Sequence, residues 1–168
     1  MPLDKNVLLD FLKILDDELD EKVTLVAVGG TAMTLLDVKK STIDVDFTIP
    51  SEYKTAFDKA LANVPHGFKL DIWTDGFVFC QILPDDYLEE SKEIAQFKRI
   101  LLRALHPIDI VVTKIGRLDN RDVKDIEACI KRFNISKNQI EKRAASIQYV
   151  GKKDNYKSNL KYVLEKFF

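Results

Sequence analysis

Residues 28–47 read VGGTAMTLLDVKKSTIDVDF, and this stretch decides the reading of the chain. Before it, Val23, Leu25, Val26, Ala27 and Val28 have the composition of a buried strand. Gly29 and Gly30 remove two side chains where that strand turns into a helix. Glycine frees the backbone for unusual dihedrals and lets a ligand approach the main chain closely. Amides at a helix start are unpaired and attract anions such as phosphate. Ile43-Asp44-Val45-Asp46-Phe47 then alternates apolar and acidic. On a strand, that order predicts both carboxylates on one face and Val45 and Phe47 on the other. Two carboxylates side by side repel each other unless a cation sits between them, and hard oxygen ligands suit magnesium. A phosphate cradle beside a carboxylate pair meets the requirements of metal-assisted phosphoryl or nucleotidyl transfer.

Working outward, Asp4 caps a predicted helix to about Leu19, with Leu8, Phe11, Leu12, Leu15 and Leu19 on one face. Thr31 to Asp37 is a short helix, residues 38–42 a polar loop, and Pro50 ends the aspartate strand. Ser51 caps the next helix, with Tyr53, Phe57, Ala60, Leu61 and Val64 inward. Phe68 to Trp73 is a strand carrying Asp71 between two hydrophobes, and Asp75-Gly76 is a hairpin turn signal. Phe77 to Leu83 reads as one strand, Tyr87 to Phe97 is ambiguous, and Lys98 to Leu105 is a further strand. Pro107 opens a helix burying Ile108, Val111, Val112, Ile115 and Leu118. Asp119-Asn120 recaps a second helix to Phe133 that buries Val123, Ile126 and Ile130. Two more helices follow, capped at Ser136 and centred on Tyr156 to Phe167. The fold class is α+β: a small mixed β-sheet flanked by helices, with a helical C-terminal part.

At 168 residues the chain is one domain with a helical appendage, read as 1–133 and 134–168. The composition, 46% apolar and 32% charged, is that of a globular protein and excludes a disordered one. No apolar run approaches a membrane span, and the acidic, leucine-rich N-terminus does not read as a signal peptide. Cys80 and Cys129 have no metal-like spacing, so both read as small core residues in a reducing, cytoplasmic setting. The net charge of −1 hides an asymmetry, since residues 131–168 hold ten Lys or Arg against three Asp or Glu. Such a tail either tracks an RNA backbone or is the solvated face of surface helices. No Ser-His-Asp or Cys-His spacing suggests a nucleophilic hydrolase.

The glycine pair, a spacer of thirteen residues and Asp-Val-Asp resemble the signature of the DNA polymerase beta-type nucleotidyltransferase superfamily. HPIDIVVTKIGRLDNRDVKDI (106–126) is similar to a second segment of small stand-alone members, including the AbiEii-type group of toxin–antitoxin and phage-defence modules. The two stretches and the order of elements between them cover roughly residues 23–133. The resemblance implies a nucleotidyltransferase fold and a transferase moving a nucleoside monophosphate from a nucleoside triphosphate to a hydroxyl on an RNA end or a protein. Asp44 and Asp46 would hold two magnesium ions, with Asp71 as the third carboxylate, assisting deprotonation of the acceptor. Gly29, Gly30 and Thr31 would contact phosphates through amides and a hydroxyl. Lys114 or Lys40 would balance triphosphate charge. Arg117, Arg121, Asp122 and Asp125 match the second segment without a derived role, an ion-pair network between helices being one reading.

Alternatives stand beside these readings. Asp75, Glu93 and Asp109 compete with Asp71 for the third place, although the proline before Asp109 argues for a helix start. Lys114 either faces the site or snorkels outward. His66 reads as a turn residue and His106 as a candidate neighbour of the site. Trp73 either stacks on a base or packs in the core. Two other function classes remain open. One is an inactive member that binds nucleotide or nucleic acid; the other is a toxin–antitoxin interaction protein whose fold docks a partner.

Overall fold

The structure is a computed structural model that describes residues 2–168. Five strands form the main sheet: β1 (Val23–Ala27), β2 (Val45–Ile49), β3 (Leu70–Thr74), β4 (Lys92–Gln96) and β5 (Ile100–Ala104), in spatial order β3-β2-β1-β5-β4. β1 runs parallel to β5 and antiparallel to β2, and β2 runs parallel to β3. Central β1 and β2 are buried nearly throughout, with Val45, Phe47 and Ile49 apolar and Asp46 and Thr48 as the polar residues of β2. β4 closes one edge antiparallel to β5, and its charged, half-exposed sequence KEIAQ suits that place. The mixed sheet flanked by helices is the predicted α+β class.

The helices are α1 (Lys5–Glu18), α2 (Gly29–Leu35), α3 (Lys54–Leu61), the one-turn α4 (Tyr87–Glu90), α5 (Pro107–Ile115), α6 (Asn120–Phe133), α7 (Lys137–Ala145) and α8 (Lys153–Phe167). α1 packs with α3, and α2, α6, α7 and α8 all pack on α5. Surrounded in this way, α5 buries every residue from Asp109 to Ile115, a wider face than the predicted stripe. Tyr156 donates its hydroxyl to Val112 O (2.7 Å) and Asn159 its amide to Ile115 O (2.9 Å), seating α8 on α5. Arg143 of α7 forks onto the buried Asp109, with Nη2 2.9 Å from Oδ2. No helix among the described residues is long and apolar enough to cross a membrane.

Local sequence accounts for several helix starts, but not for α3, whose expected cap Ser51 makes no side-chain cap hydrogen bond and instead donates its amide to Asp75 Oδ1. Asp4 accepts from Val7 N at the start of α1, and Asp119 and Ser136 form capping boxes with Asp122 and Gln139. The predicted strand 77–83 is instead a tight hairpin of Phe77–Val78 and Gln81–Ile82, turning on Phe79 at φ +54°. That turn leaves Cys80 exposed, against the core reading, whereas Cys129 is buried and its thiol is pushed up to about 12 by desolvation. Gln148–Tyr149 adds a third strand to the hairpin. The ambiguous stretch 87–97 resolves into α4 and edge strand β4.

Asp16 on α1 holds the entry to β5. Its Oδ1 accepts from Arg99 N (2.7 Å) and Ile100 N (2.8 Å), and its Oδ2 from Lys98 N (3.2 Å). Asp16→Ala strands these amides and is expected to lower stability by about 2–4 kcal/mol. Urea unfolding should show that loss as a lowered midpoint relative to the wild type.

Candidate active site

The glycine turn works by space. Gly29 has φ +54°, and its Cα lies under the Phe79 ring, where a Cβ would stand 3.6 Å from ring carbon Cζ. Gly30 faces the cleft, and a Cβ there would press on Thr42 Oγ1 at 3.1 Å and approach Lys39 Nζ at 3.8 Å. Only Gly30 of the pair therefore opens main chain to the cleft. Thr31 is fully buried and ties the turn to the aspartates: its hydroxyl donates to Asp44 O (3.2 Å) and accepts from Asp46 N (2.9 Å). Thr42 Oγ1 donates to the same Asp44 carbonyl (2.8 Å). The hydroxyl expected to reach a phosphate is instead a strut of the aspartate segment. The local reason is that Asp44 lies in a bend just before β2, where its carbonyl has no ladder partner.

Parallel pairing of β2 with β3 sets Asp46 opposite Asp71. The competitors for the third place lie elsewhere: Asp75 Oδ1 accepts from Ser51 N, Glu93 sits on the edge strand β4, and Asp109 is held by Arg143. Asp44, Asp46 and Asp71 line one cleft of about 320 Å³ together with Gly30, Lys39, Lys69, Phe79, Lys114, Arg117, Arg121 and Asp125. Asp46 is nearly buried, while Asp44 is exposed. Desolvation foremost, then the Asp71 and Asp44 charges, push the Asp46 carboxyl up from 3.8 to about 6. Lys69 offers Asp71 an ammonium at 3.0 Å and is itself raised, mainly by that hydrogen bond. Among the described residues no three His, Cys, Asp or Glu side chains already enclose a metal-sized space. A raised carboxyl beside two further acids is nevertheless a donor set of the oxygen-rich kind that suits a hard divalent cation.

The cations opposite are organised by α5 and α6. Lys114 is buried between Asp122 Oδ1 (3.3 Å) and Asp125 Oδ2 (2.9 Å). Arg117 forks onto Asp122, with Nε and Nη2 each 2.7 Å from a carboxylate oxygen. Lys39 reaches Asp125 Oδ1 at 3.3 Å from the other wall. Burial pushes Asp122 up, but its Arg117 hydrogen bonds and the Lys114 charge more than offset this and hold it below the ordinary carboxylate range. The four residues left without a role are thus distinguishable: Asp122 and Asp125 anchor the cations, Arg117 presents one to the cleft, and Arg121 is exposed near Asp119. These pairs rotate α6 so that Asp122, Asp125, Ile126 and Cys129 face inward, with the predicted Val123 and Ile130 only half-buried. Lys40 points away and lines a different depression with Asp4 and Asp37; its neighbour Lys39 occupies the place expected of it. His106 caps α5 through Nδ1, which accepts from Ile108 N (3.1 Å), and borders a separate cleft with Asp86 and Asp109. Exposed His66 packs edge-on against Phe11. Trp73 is half-buried against Phe79, with ring centroids 5.0 Å apart.

Residues 7–167 match a family described as nucleotidyltransferase of unknown function (DUF6036). The chain belongs to that nucleotidyltransferase family. No curated protein matches it in sequence. Two solved structures share the fold of this nucleotidyltransferase at 13% identity, each over 83% of its length. One is a crystal structure of ANT(2'')-Ia in complex with adenylyl-2''-tobramycin, with TM-score 0.56 and 94% of that chain covered. The other is a solution structure of the antibiotic-resistance factor ANT(2'')-Ia, with TM-score 0.55 and 88% covered.

The raised Asp46 has a measurable consequence. Between its ordinary 3.8 and about 6 the folded protein binds more protons at this site than the unfolded chain does. Stability therefore falls as pH rises through that window, by up to about 3 kcal/mol, and is regained below it. In chelator, Asp46→Asn is expected to stabilise the nucleotidyltransferase at pH 7.5 and to lose most of that advantage at pH 4. Urea midpoints for both proteins at the two pH values provide the check.

Proposed function

We propose that the chain is a magnesium-dependent nucleotidyltransferase that moves a nucleoside monophosphate from a nucleoside triphosphate to a hydroxyl acceptor. The observation that carries this reading is the register of Asp46 opposite Asp71, next to Asp44 and across one cleft from Lys39, Lys114 and Arg117. Asp44, Asp46 and Asp71 are the residues that would hold the metal. When bound, magnesium would supply positive charge to the transferring phosphoryl group and the leaving pyrophosphate. Gly30 leaves room for phosphate oxygens at the main chain, and Lys39 and Arg117 balance their charge. Lys114 acts from behind, since both of its carboxylate partners keep it in the wall. The acceptor oxygen bonds to the α-phosphorus as its bond to pyrophosphate breaks, and Asp71 takes the hydroxyl proton.

The acceptor reading rests on charge. Asp125 is tied to two lysines, and the other three acids of the cleft are assigned to the metal. No acid lining the cleft is then left for a polycationic acceptor. Arg121 and Lys69 at the rim, and the basic segment 131–168, favour an RNA end over a protein hydroxyl. A second reading, nucleotide binding without transfer, draws on the Lys69–Asp71 pair, which neutralises the proposed base. Kinship with AbiEii-type toxins and a protein partner would rest on the 106–126 stretch alone.

Labelled nucleoside triphosphates, magnesium and total RNA or protein decide between these. The expected result is label on RNA from the wild type, reduced at least ~100-fold by Asp46→Asn. Metal-dependent nucleotide binding with no transfer to any acceptor would select the second reading. Absence of both would overturn the two together.

A further inference from the structure

Phe79 sits at the tip of the 77–82 hairpin with φ +54°, a left-handed conformation that a bulky aromatic residue rarely adopts. Glycine or asparagine would fit that backbone without the strain a phenylalanine carries. Strained positions concentrate where side-chain placement matters to function. The strain here is imposed from several sides. Buried Gln81, with its amide oriented to donate, reaches Val78 O (2.9 Å) and Thr113 O (3.1 Å) and so ties the hairpin to α5. Gly116 makes room for that carboxamide, since a Cβ there would collide with it. Val150 N donates to Cys80 O (2.9 Å) and holds the outer side. The ring is turned inward onto Gly29, edge-on to Trp73, and its face lies 5.1 Å from the Arg117 guanidinium.

Arg117 is therefore held by the Asp122 fork and the Phe79 ring, with Asp119 Oδ2 a more distant 3.7 Å from Nε. Asp122 takes Nε and Nη2, and the Phe79 ring presents its face to the guanidinium carbon. Among the described residues Nη1 has no hydrogen-bond partner, and Arg117 lines the cleft. The fork fixes the guanidinium through its edge, and the ring adds support from a second direction.

We propose that Phe79 is a positioning residue that aims Arg117 at the triphosphate, with the hairpin held in a strained turn to place its ring. This assignment rests on the nucleotidyl-transfer reading of the same cleft. It distinguishes a strained residue retained for ligand binding from one retained for folding, because removing the ring relieves the strain.

The test measures binding of magnesium tripolyphosphate and of the four nucleoside triphosphates by calorimetry, with thermal unfolding of the same samples. Phe79→Gly is expected to bind about three- to tenfold more weakly, with an unfolding midpoint within about 3 °C of wild type. Phe79→Asn, which also accepts the left-handed backbone, should behave alike, and Phe79→Tyr should bind within about twofold of wild type. In an Arg117→Gln background Phe79→Gly should add no further loss, because the two residues act as one unit. Wild-type affinity in Phe79→Gly, or an undiminished loss in the Arg117→Gln background, overturns the proposal and leaves the nucleotidyl-transfer reading intact. Failure of both Phe79→Gly and Phe79→Asn to fold makes the residue structural and overturns it as well. If the wild type binds neither tripolyphosphate nor any nucleotide, the transfer reading falls and the proposal with it.

Discussion

Asp46 and Asp71 are set side by side by the parallel pairing of β2 and β3, and that juxtaposition organises the molecule. Charges at this spacing repel, and the nearly buried Asp46 cannot escape to solvent. The fold responds by leaving Asp46 raised and by placing cations around the group. Lys69 sits on Asp71, and Arg117 and Lys114 are held opposite by Asp122 and Asp125. Much of α5 and α6 can be understood as the frame of that cationic wall. Lys114 is almost completely buried, which without paired carboxylates would cost several kcal/mol.

The second organising element is Thr31. One buried hydroxyl links the start of α2 to the main chain on both sides of Val45. It couples the glycine turn to the aspartate segment. The motif thus combines a cleft-facing glycine, a strut and a pair of acids, with a different job at each position.

Much of this was legible in the sequence because it follows from short-range rules. Alternation around Asp46 gave its strand face, although Asp44 lies in the bend before β2; the caps at Asp4, Asp119 and Ser136 gave helix starts, and Asp71 stood out between hydrophobes. The illegible parts depend on contacts between distant segments. Lys39 rather than Lys40 faces the cleft because of its pairing with Asp125 across the chain. The inward turn of α6 follows from Lys114 and Arg117, whereas periodicity sees only its apolar residues. Phe79 was invisible for a further reason. A phenylalanine within an apolar run reads as strand, and nothing local announces a left-handed turn held by Gln81, Gly116 and Val150. Asp16 shows the same principle in the core, a polar residue on an apolar helix face explained only by the amides of residues 98–100.

The protonation state of Asp46 reports most directly on whether the acids form one cation-seeking group. Carboxyl-carbon NMR of the protein, titrated with and without magnesium and a non-hydrolysable nucleoside triphosphate, follows that state. Without the ion the Asp46 carboxyl should titrate near 6. With metal and nucleotide bound it should move below the ordinary carboxylate value, because a divalent charge favours the ionised form. An Asp46 that titrates at its ordinary value in chelator, and is unmoved by magnesium and nucleotide, would contradict the assignment of this cleft as a metal-dependent nucleotidyl-transfer site.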